Sequence, residues 1–181
     1  MNYWKTVEAG DYKIYGKKFF GYYLNNRNKF RTYSLPYWNE LNPNCIDEML
    51  NMIPEMKDGL AKFGKIYNIA LMILWDDKLQ GLNAGVRTRM NVPIANYEGT
   101  RTSFYELTGE QYDNHTLSPG GSRLWPSEYK ETLEPIASIC ITEPTILRIP
   151  EPHTVFCDTK QYPRVVASIA FDRDLTHYLE T

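Results

Sequence analysis

The chain has 181 residues, a formal net charge of −2 at pH 7 and a pI near 5.9, values that fit one domain, residues 1–181, with a sizeable core. A net charge this close to zero argues against a nucleic-acid-binding protein, which usually has a basic face. The most apolar run, residues 69–75, is shorter than the ~18 residues of a membrane-spanning helix, and the first residues lack the apolar segment of a signal peptide. We therefore expect a cytoplasmic protein that binds neither nucleic acid nor membrane.

The first 40 residues form an extension that is rich in aromatic side chains. The clusters at residues 12–15 and 19–23 predict short strands or an extended arm. Tyrosine and tryptophan are enriched at protein-contact surfaces. The extension therefore belongs either to the core or to a surface that contacts a partner protein.

Residues 44–64 have the spacing of a helical region. Asn44 is the expected N-cap, with Asp47 and Glu48 in the first turn. Pro54 interrupts the pattern and predicts a kink or two shorter helices. Apolar residues recur at three- and four-residue steps, as on one face of a helix: Ile46, Met49, Leu50, Ile53, Leu60 and Phe63.

From residue 65 onward, short β runs replace the helical pattern and predict a β core over residues 65–172. A helix outside such strands indicates a mainly β chain with flanking helices, of the α+β class. Residues 108–130 form a long loop region, which either has a binding function or is a plain connection. The β runs are residues 66–75, 87–95, 101–107, 134–142, 146–149, 154–157 and 164–171.

His153 and Arg164 are the first candidate site residues. Each follows a proline, and they lie eleven residues apart on the last two β runs. A neutral imidazole is a good ligand for Fe(II), and a guanidinium can bind a carboxylate through two hydrogen bonds. If the two runs form joined antiparallel strands, both side chains point into the same cavity.

The sequence around this pair resembles a known family. Residues 89–96 read Arg-Met-Asn-Val-Pro-Ile-Ala-Asn, and residues 99–106 read Gly-Thr-Arg-Thr-Ser-Phe-Tyr-Glu. With the later Pro-His-Thr-Val and Pro-Arg-Val-Val segments, the chain resembles the Fe(II)/2-oxoglutarate-dependent dioxygenases over roughly residues 60–172, in the short form common in phage and marine bacterial genomes. The resemblance implies a double-stranded β-helix, a jelly-roll or cupin-like barrel, with iron held by a His-x-Asp pair and a distal histidine.

The family pattern maps onto particular positions of this chain. It places the distal histidine at His153 and the arginine that binds the cosubstrate at Arg164. It also places Asn91 and Tyr105 where the family often has contacts with the cosubstrate. These assignments rest on the resemblance.

The His-x-Asp pair is where the chain departs from the family, because Gly81 and Asn83 occupy its positions. Glycine has no ligand atom, and asparagine offers only a neutral carbonyl oxygen, so His153 is the one retained ligand. A single imidazole does not hold Fe(II) at cellular concentrations. A rearranged site would need His115 together with His153 and an aspartate, Asp76 or Asp77.

These observations favour a non-catalytic protein with a dioxygenase-like fold and no cofactor. We expect it to act as an interaction or structural module with a protein partner, and in a phage it would be a virion or tail accessory component. In that case a backbone carbonyl would satisfy His153, and Arg164 would either pair with Asp158 or Glu143 or bind a small carboxylate. The first alternative is an active hydroxylase that uses Fe(II) and 2-oxoglutarate at an unusual metal site. The second is a metal-independent binder of a small ligand at the mouth of the barrel.

Overall fold

The computed structural model describes residues 1–32, 37–75, 81–157 and 163–181. The strands are β1 (Trp4–Thr6), β2 (Phe30–Thr32), β3 (Trp38–Leu41), β4 (Ile66–Leu74), β5 (Asn83–Ala84), β6 (Arg89–Ala95), β7 (Thr100–Phe104), β8 (Thr116–Leu117), β9 (Arg123–Leu124), β10 (Ala137–Ile139), β11 (Thr145–Leu147), β12 (His153–Cys157) and β13 (Arg164–Phe171). The helices are α1 (Tyr12–Asn25), α2 (Ile46–Met52), α3 (Pro54–Leu60), α4 (Gly109–Asp113), α5 (Glu128–Thr132) and α6 (Thr176–Leu179). Across these ranges, no helix combines the length and the apolar character that crossing a membrane requires.

The strands form two antiparallel sheets. The large sheet has the order β1-β11-β6-β13-β4-β3-β2, and the small sheet has the order β10-β7-β12-β5-β9-β8. Strand pairings between the described residues join no strand of one sheet to a strand of the other. The expected combination of strands with flanking helices is therefore confirmed, as a mixed α+β chain with two antiparallel sheets.

The central strand β13 is buried along its whole length, as is typical of a strand that is covered on both faces. Because side chains alternate along a strand, its two faces have different neighbours. Arg164, Ser168 and Ala170 line a cavity. The side chains on its other face, Val165, Ala167, Ile169 and Phe171, belong to the main apolar core. Residues of α1, α2 and α3 belong to the same core.

The aromatic segment within residues 1–40 forms a helix where its composition predicts strands or an extended arm. The helix α1 begins after Asp11, whose carboxylate accepts a hydrogen bond from the backbone N–H of Ile14. Aromatic residues favour strands on average, but the spacing of these side chains fits one face of a helix. That face is buried in the main core, at Tyr15, Phe19 and Tyr22.

The helical region expected at residues 44–64 is present as two short helices. The break between α2 and α3 falls at Ile53, directly before Pro54, as expected for a proline that interrupts a helix. The predicted N-cap at Asn44 is wrong. A short 3₁₀ turn, Pro43–Cys45, precedes α2, and the side chain of Asn42 caps that turn by accepting a hydrogen bond from the N–H of Asn44.

Candidate functional site

A cavity of about 480 Å³ lies between the two sheets, within the range of ~300–1,000 Å³ for small-molecule sites. Two facing sheets normally fill the space between them with apolar side chains. Here many of the side chains that line this space are polar. On the large sheet these are Glu40, Asn68, Arg89, Asn91, Arg164 and Ser168, and on the small sheet Asn83, Thr102, His153 and Thr154. A polar lining between sheets is costly unless a ligand or a hydrogen bond satisfies it, so the cavity is the candidate site.

His153 and Arg164 both line this cavity, but their strands are not paired with each other. The strand β12 lies in the small sheet and β13 in the large sheet. The two side chains therefore enter the cavity from opposite walls. The expectation of a shared cavity agrees with this arrangement, whereas the expectation of joined antiparallel neighbours was wrong.

His153 is 6% exposed, and its Nδ1 atom lies 2.8 Å from the carbonyl oxygen of Glu151. A carbonyl oxygen only accepts hydrogen bonds, so the neutral ring carries its proton on Nδ1. Burial lowers the pKa of His153 to about 4, although the bond to Glu151 offsets part of this effect. His153 is therefore neutral at pH 7, and a backbone carbonyl satisfies its N–H group.

Of the two residues at the expected His-x-Asp positions, Asn83 lies beside His153, and Gly81 also lines the cavity. Asn83 pairs with His153 across β5 and β12, and its Nδ2 donates a hydrogen bond to the carbonyl oxygen of His153 (3.3 Å). A Cβ atom built on Gly81 would lie 2.6 Å from the carbonyl oxygen of Trp125 and 3.0 Å from the carbonyl group of Pro126. No side chain fits at residue 81 while this backbone stays in place.

The rearranged metal site is not assembled by the residues that the structure describes. Among them, no three His, Cys, Asp or Glu side chains form a group that could hold a metal ion. His115 packs against Trp125, with ring centres 5.7 Å apart, and its Nδ1 lies 2.9 Å from the carbonyl oxygen of Tyr112. Asp76 and Asp77 fall outside the described residues. The described residues around His153 therefore do not by themselves supply the further anionic or imidazole ligands that Fe(II) needs.

Arg164 is almost completely buried, with 1% of its surface exposed. Its Nε donates a hydrogen bond to Oγ1 of Thr100 on the small sheet (3.0 Å), and that hydroxyl donates to the carbonyl oxygen of Tyr97 (2.7 Å). The Nδ2 of Asn96 donates to the carbonyl oxygen of Pro163 (2.7 Å) and fixes the backbone before the arginine. The Arg164 side chain is thus held in place at the cavity wall.

The structure describes one of the two carboxylates expected as partners of Arg164. Glu143 is exposed on the surface, whereas Arg164 is buried. Asp158 falls outside the described residues, so its pairing with Arg164 stays a prediction. The remaining expectation for Arg164, contact with a small carboxylate ligand, stays a prediction.

Asn91 and Thr102 contribute buried polar atoms that lack partners among the described residues. Asn91 is 4% exposed and Thr102 is 2% exposed. Neither Oδ1 of Asn91 nor Oγ1 of Thr102 makes a hydrogen bond there. A buried polar atom without a partner costs about 1–3 kcal/mol. The Thr102 hydroxyl could donate a hydrogen bond to a ligand, whereas Oδ1 of Asn91 only accepts and would need a donor group on the ligand.

Tyr105 lies away from the cavity, although the resemblance places it at the cosubstrate. Its ring is 3% exposed and belongs to a second apolar cluster, with Leu82, Ala84 and Trp125. This cluster covers the outer face of the small sheet, because Asn83 and His153 point to the inner face. Burial raises the pKa of Tyr105 above its usual value. Tyr105 therefore supports the sheet from outside.

Arg89 is a cavity residue that was not among the candidates predicted from the sequence. Its Nε donates to Oγ of Ser168 (2.7 Å), and its Nη2 donates to Oδ1 of Asn68 (2.6 Å) and to the carbonyl oxygen of Ser168 (2.9 Å). Its guanidinium lies over the ring of Trp38, 5.0 Å from the ring centre. The signal was present in the sequence, because Arg89 and Asn91 are two residues apart on β6 and share a face.

The chain matches no model of a known protein family and no curated protein. The resemblance to the dioxygenases therefore stays a prediction. The function of the cavity follows from the chemistry of the residues that line it.

Proposed function

We propose that this chain is a non-catalytic protein of the double-stranded β-helix type that binds a small carboxylate between its sheets without a metal ion. The observation that carries the proposal is the placement of the buried Arg164 guanidinium in one cavity with the Thr102 hydroxyl, which has no partner among the described residues and can donate to a carboxylate. Of the alternatives that the sequence leaves open, this is the metal-independent binder of a small ligand. A role as a virion component or a partner-binding module stays a prediction.

The strand order supports the double-stranded β-helix. Taken in chain order, β4, β6, β11 and β13 belong to the large sheet, and β5, β7, β10 and β12 to the small sheet. The chain thus crosses repeatedly between two facing antiparallel sheets, as it does in a jelly roll. The mouth of such a fold offers a ready pocket for a small ligand.

The chemistry of the lining favours an anion. The Arg164 side chain keeps its positive charge, because a guanidinium is not deprotonated in proteins. A hydrogen bond between a charged donor and a carboxylate contributes about 1.5–3 kcal/mol. The imidazole of His153 is neutral at pH 7 and adds no charge. A carboxylate would therefore be stabilised by Arg164, while a neutral analogue would lose that contribution.

The donor set supports a binding role over oxygenase chemistry. A metal site of this family needs a histidine and a carboxylate beside the distal histidine. Gly81 and Asn83 supply neither, and backbone atoms occupy the space that a side chain at residue 81 would need. His153 would have to hold the metal ion without these two ligands, and one imidazole is too weak a site for Fe(II).

Calorimetric titration of the metal-stripped protein tests the proposal. The ligands are glutarate and 2-oxoglutarate, with glutaramide as the uncharged analogue. We expect both dicarboxylates to bind in the presence of EDTA and glutaramide not to bind. Arg164→Gln should abolish binding, while Arg31→Gln, which removes an exposed arginine on β2 outside the cavity, should leave it unchanged. Equal affinity for glutarate and glutaramide, or full binding by Arg164→Gln, would overturn the proposal.

A further inference from the structure

We infer that the cavity has a second anion-binding subsite at Arg89, so that its ligand is a dicarboxylate with an apolar segment between two anionic ends. The inference rests on the proposed function, since it extends the carboxylate site at Arg164. It implies a ligand longer than 2-oxoglutarate, the five-carbon cosubstrate of the dioxygenases that the chain resembles.

The Arg89 guanidinium is fixed but still has bonding capacity. Its Nε and Nη2 atoms bind Ser168 and Asn68, and these bonds hold its plane in one orientation over Trp38. Its Nη1 atom donates no hydrogen bond to the described residues. No carboxylate oxygen in the described part of the chain lies within 4.0 Å of this guanidinium.

The charge of Arg89 is not fully compensated by its surroundings. Burial lowers the pKa of Arg89 to about 10, Glu40 offsets part of this effect, and Arg87 adds to it. The Glu40 carboxylate also accepts a hydrogen bond from Nε1 of Trp38 (3.3 Å). A buried cation is stabilised by a nearby anion. A ligand carboxylate at Nη1 would provide one.

The strand register places the two arginines at different ends of the cavity floor. Arg164 lies opposite Leu74 in the pairing of β13 with β4, and Ser168, which holds the Arg89 guanidinium, lies opposite Ala70. Ser168 is four positions after Arg164 along the strand, so their Cα atoms are about 13 Å apart.

The floor between these two ends is apolar. Met72 lies opposite Val166, and both Met72 and Leu74 line the cavity. The floor thus has a guanidinium at each end and an aliphatic surface between them. The Glu40 carboxylate lies at the Arg89 end, opposite Ala70 in the pairing of β3 with β4. The four C–C bonds of glutarate, each about 1.5 Å long, extend at most ~6 Å, so a longer chain matches this floor better.

A chain-length series on the unaltered protein tests the second subsite. Unbranched dicarboxylates from glutarate to sebacate are titrated beside monocarboxylates of equal carbon number. We expect the affinity of the dicarboxylates to reach its maximum at a chain longer than glutarate. At that length the dicarboxylate should bind at least tenfold more tightly than the matching monocarboxylate. If the second carboxylate improves affinity at no chain length, the inference is overturned.

Two variants separate this inference from the proposed function. Arg89→Gln should reduce the affinity for the best dicarboxylate at least tenfold and leave the monocarboxylates unchanged, whereas Arg164→Gln should abolish both. Arg31→Gln is the control for the loss of one positive charge. Loss of all binding only in Arg164→Gln, with Arg89→Gln unchanged, would remove the second subsite and keep the first. Full binding by Arg164→Gln would contradict the proposed function itself.

Discussion

The carbonyl oxygen of Trp125 lies 2.6 Å from the position that a Cβ atom at Gly81 would take. Because backbone atoms do not yield as a flexible side chain would, Gly81→Ala should lower the free energy of unfolding by about 1–3 kcal/mol. Urea denaturation measures the change. Gly21→Ala in α1 is the matched control, since nothing lies within 4 Å of its added Cβ atom, and it should raise stability by about 0.5–1 kcal/mol. Equal effects of the two changes would contradict the steric argument.

The same contact predicts that restoring the family motif does not restore a metal site. The double variant Gly81→His and Asn83→Asp should be destabilised, and it should not bind Mn(II), an air-stable substitute for Fe(II), at micromolar concentrations. The unaltered protein should likewise show no rise in melting temperature with Mn(II). Mn(II) binding by the unaltered protein that His153→Gln removes would instead point to Asp76 or Asp77 as a further ligand.

The buried imidazole of His153 predicts a dependence of stability on pH. Its folded-state pKa of about 4 lies below the usual value of 6.5, so the unfolded chain takes up a proton that the folded protein excludes. This contribution to stability is complete above pH 6.5 and is lost as the pH falls toward 4, by about 3 kcal/mol in total. Urea denaturation midpoints, measured without ligand at pH 7.5 and pH 5, show how the stability changes with pH.

The histidine variants identify the source of that slope. His153→Gln should flatten the dependence between these two pH values, because it removes the group that titrates. His177→Gln, which changes an exposed histidine, should retain the dependence of the unaltered protein. A slope that persists in His153→Gln would assign the effect to other groups.

The unpartnered hydroxyl of Thr102 predicts opposite effects on stability and on binding. Thr102→Val keeps the shape of the side chain and removes a buried oxygen atom without a described partner, so it should raise the free energy of unfolding by about 1 kcal/mol. It should also weaken dicarboxylate binding several-fold. Thermal denaturation and calorimetry measure the two quantities on the same samples.

Thr145 is the matched control for that change. Its hydroxyl is also buried, but it donates a hydrogen bond to the carbonyl oxygen of Glu143 (2.8 Å). Thr145→Val should therefore lower stability by about 1 kcal/mol and leave binding unchanged. If both valine variants destabilise the protein equally, the hydroxyl of Thr102 has a partner in solution.

How far the sequence predicts the structure depends on whether the decisive contacts are local. The long strands β4, β6 and β13 follow from runs of apolar residues, and the break before Pro54 follows from the chemistry of proline. The helix α1 was missed because its aromatic composition outweighed the four-residue spacing of Tyr15 and Phe19. The spacing of these side chains, read alone, indicates a helix.

Local sequence patterns likewise predict some relationships between the cavity residues and not others. Strand alternation was sufficient to relate Arg89 to Asn91, yet it gives no information on which sheet faces which. The proximity of His153 and Asn83 required the pairing of β12 with β5. The contact of Gly81 with Trp125 joins residues that are distant in sequence, and no local pattern predicts it. Tyr105 shows the converse, because its motif position suggests a ligand contact, whereas the structure packs it in the second apolar cluster.

One face of β13 packs in the apolar core, and the other face lines the cavity that we propose binds the ligand. Val165, Ala167 and Ile169 belong to the main core, while Arg164 and Ser168 face the cavity. Substitutions at alternate positions of one strand can therefore change ligand preference with little effect on the packing of the helices. Such an arrangement makes this strand a suitable starting point for engineering new binding specificities on an unchanged scaffold.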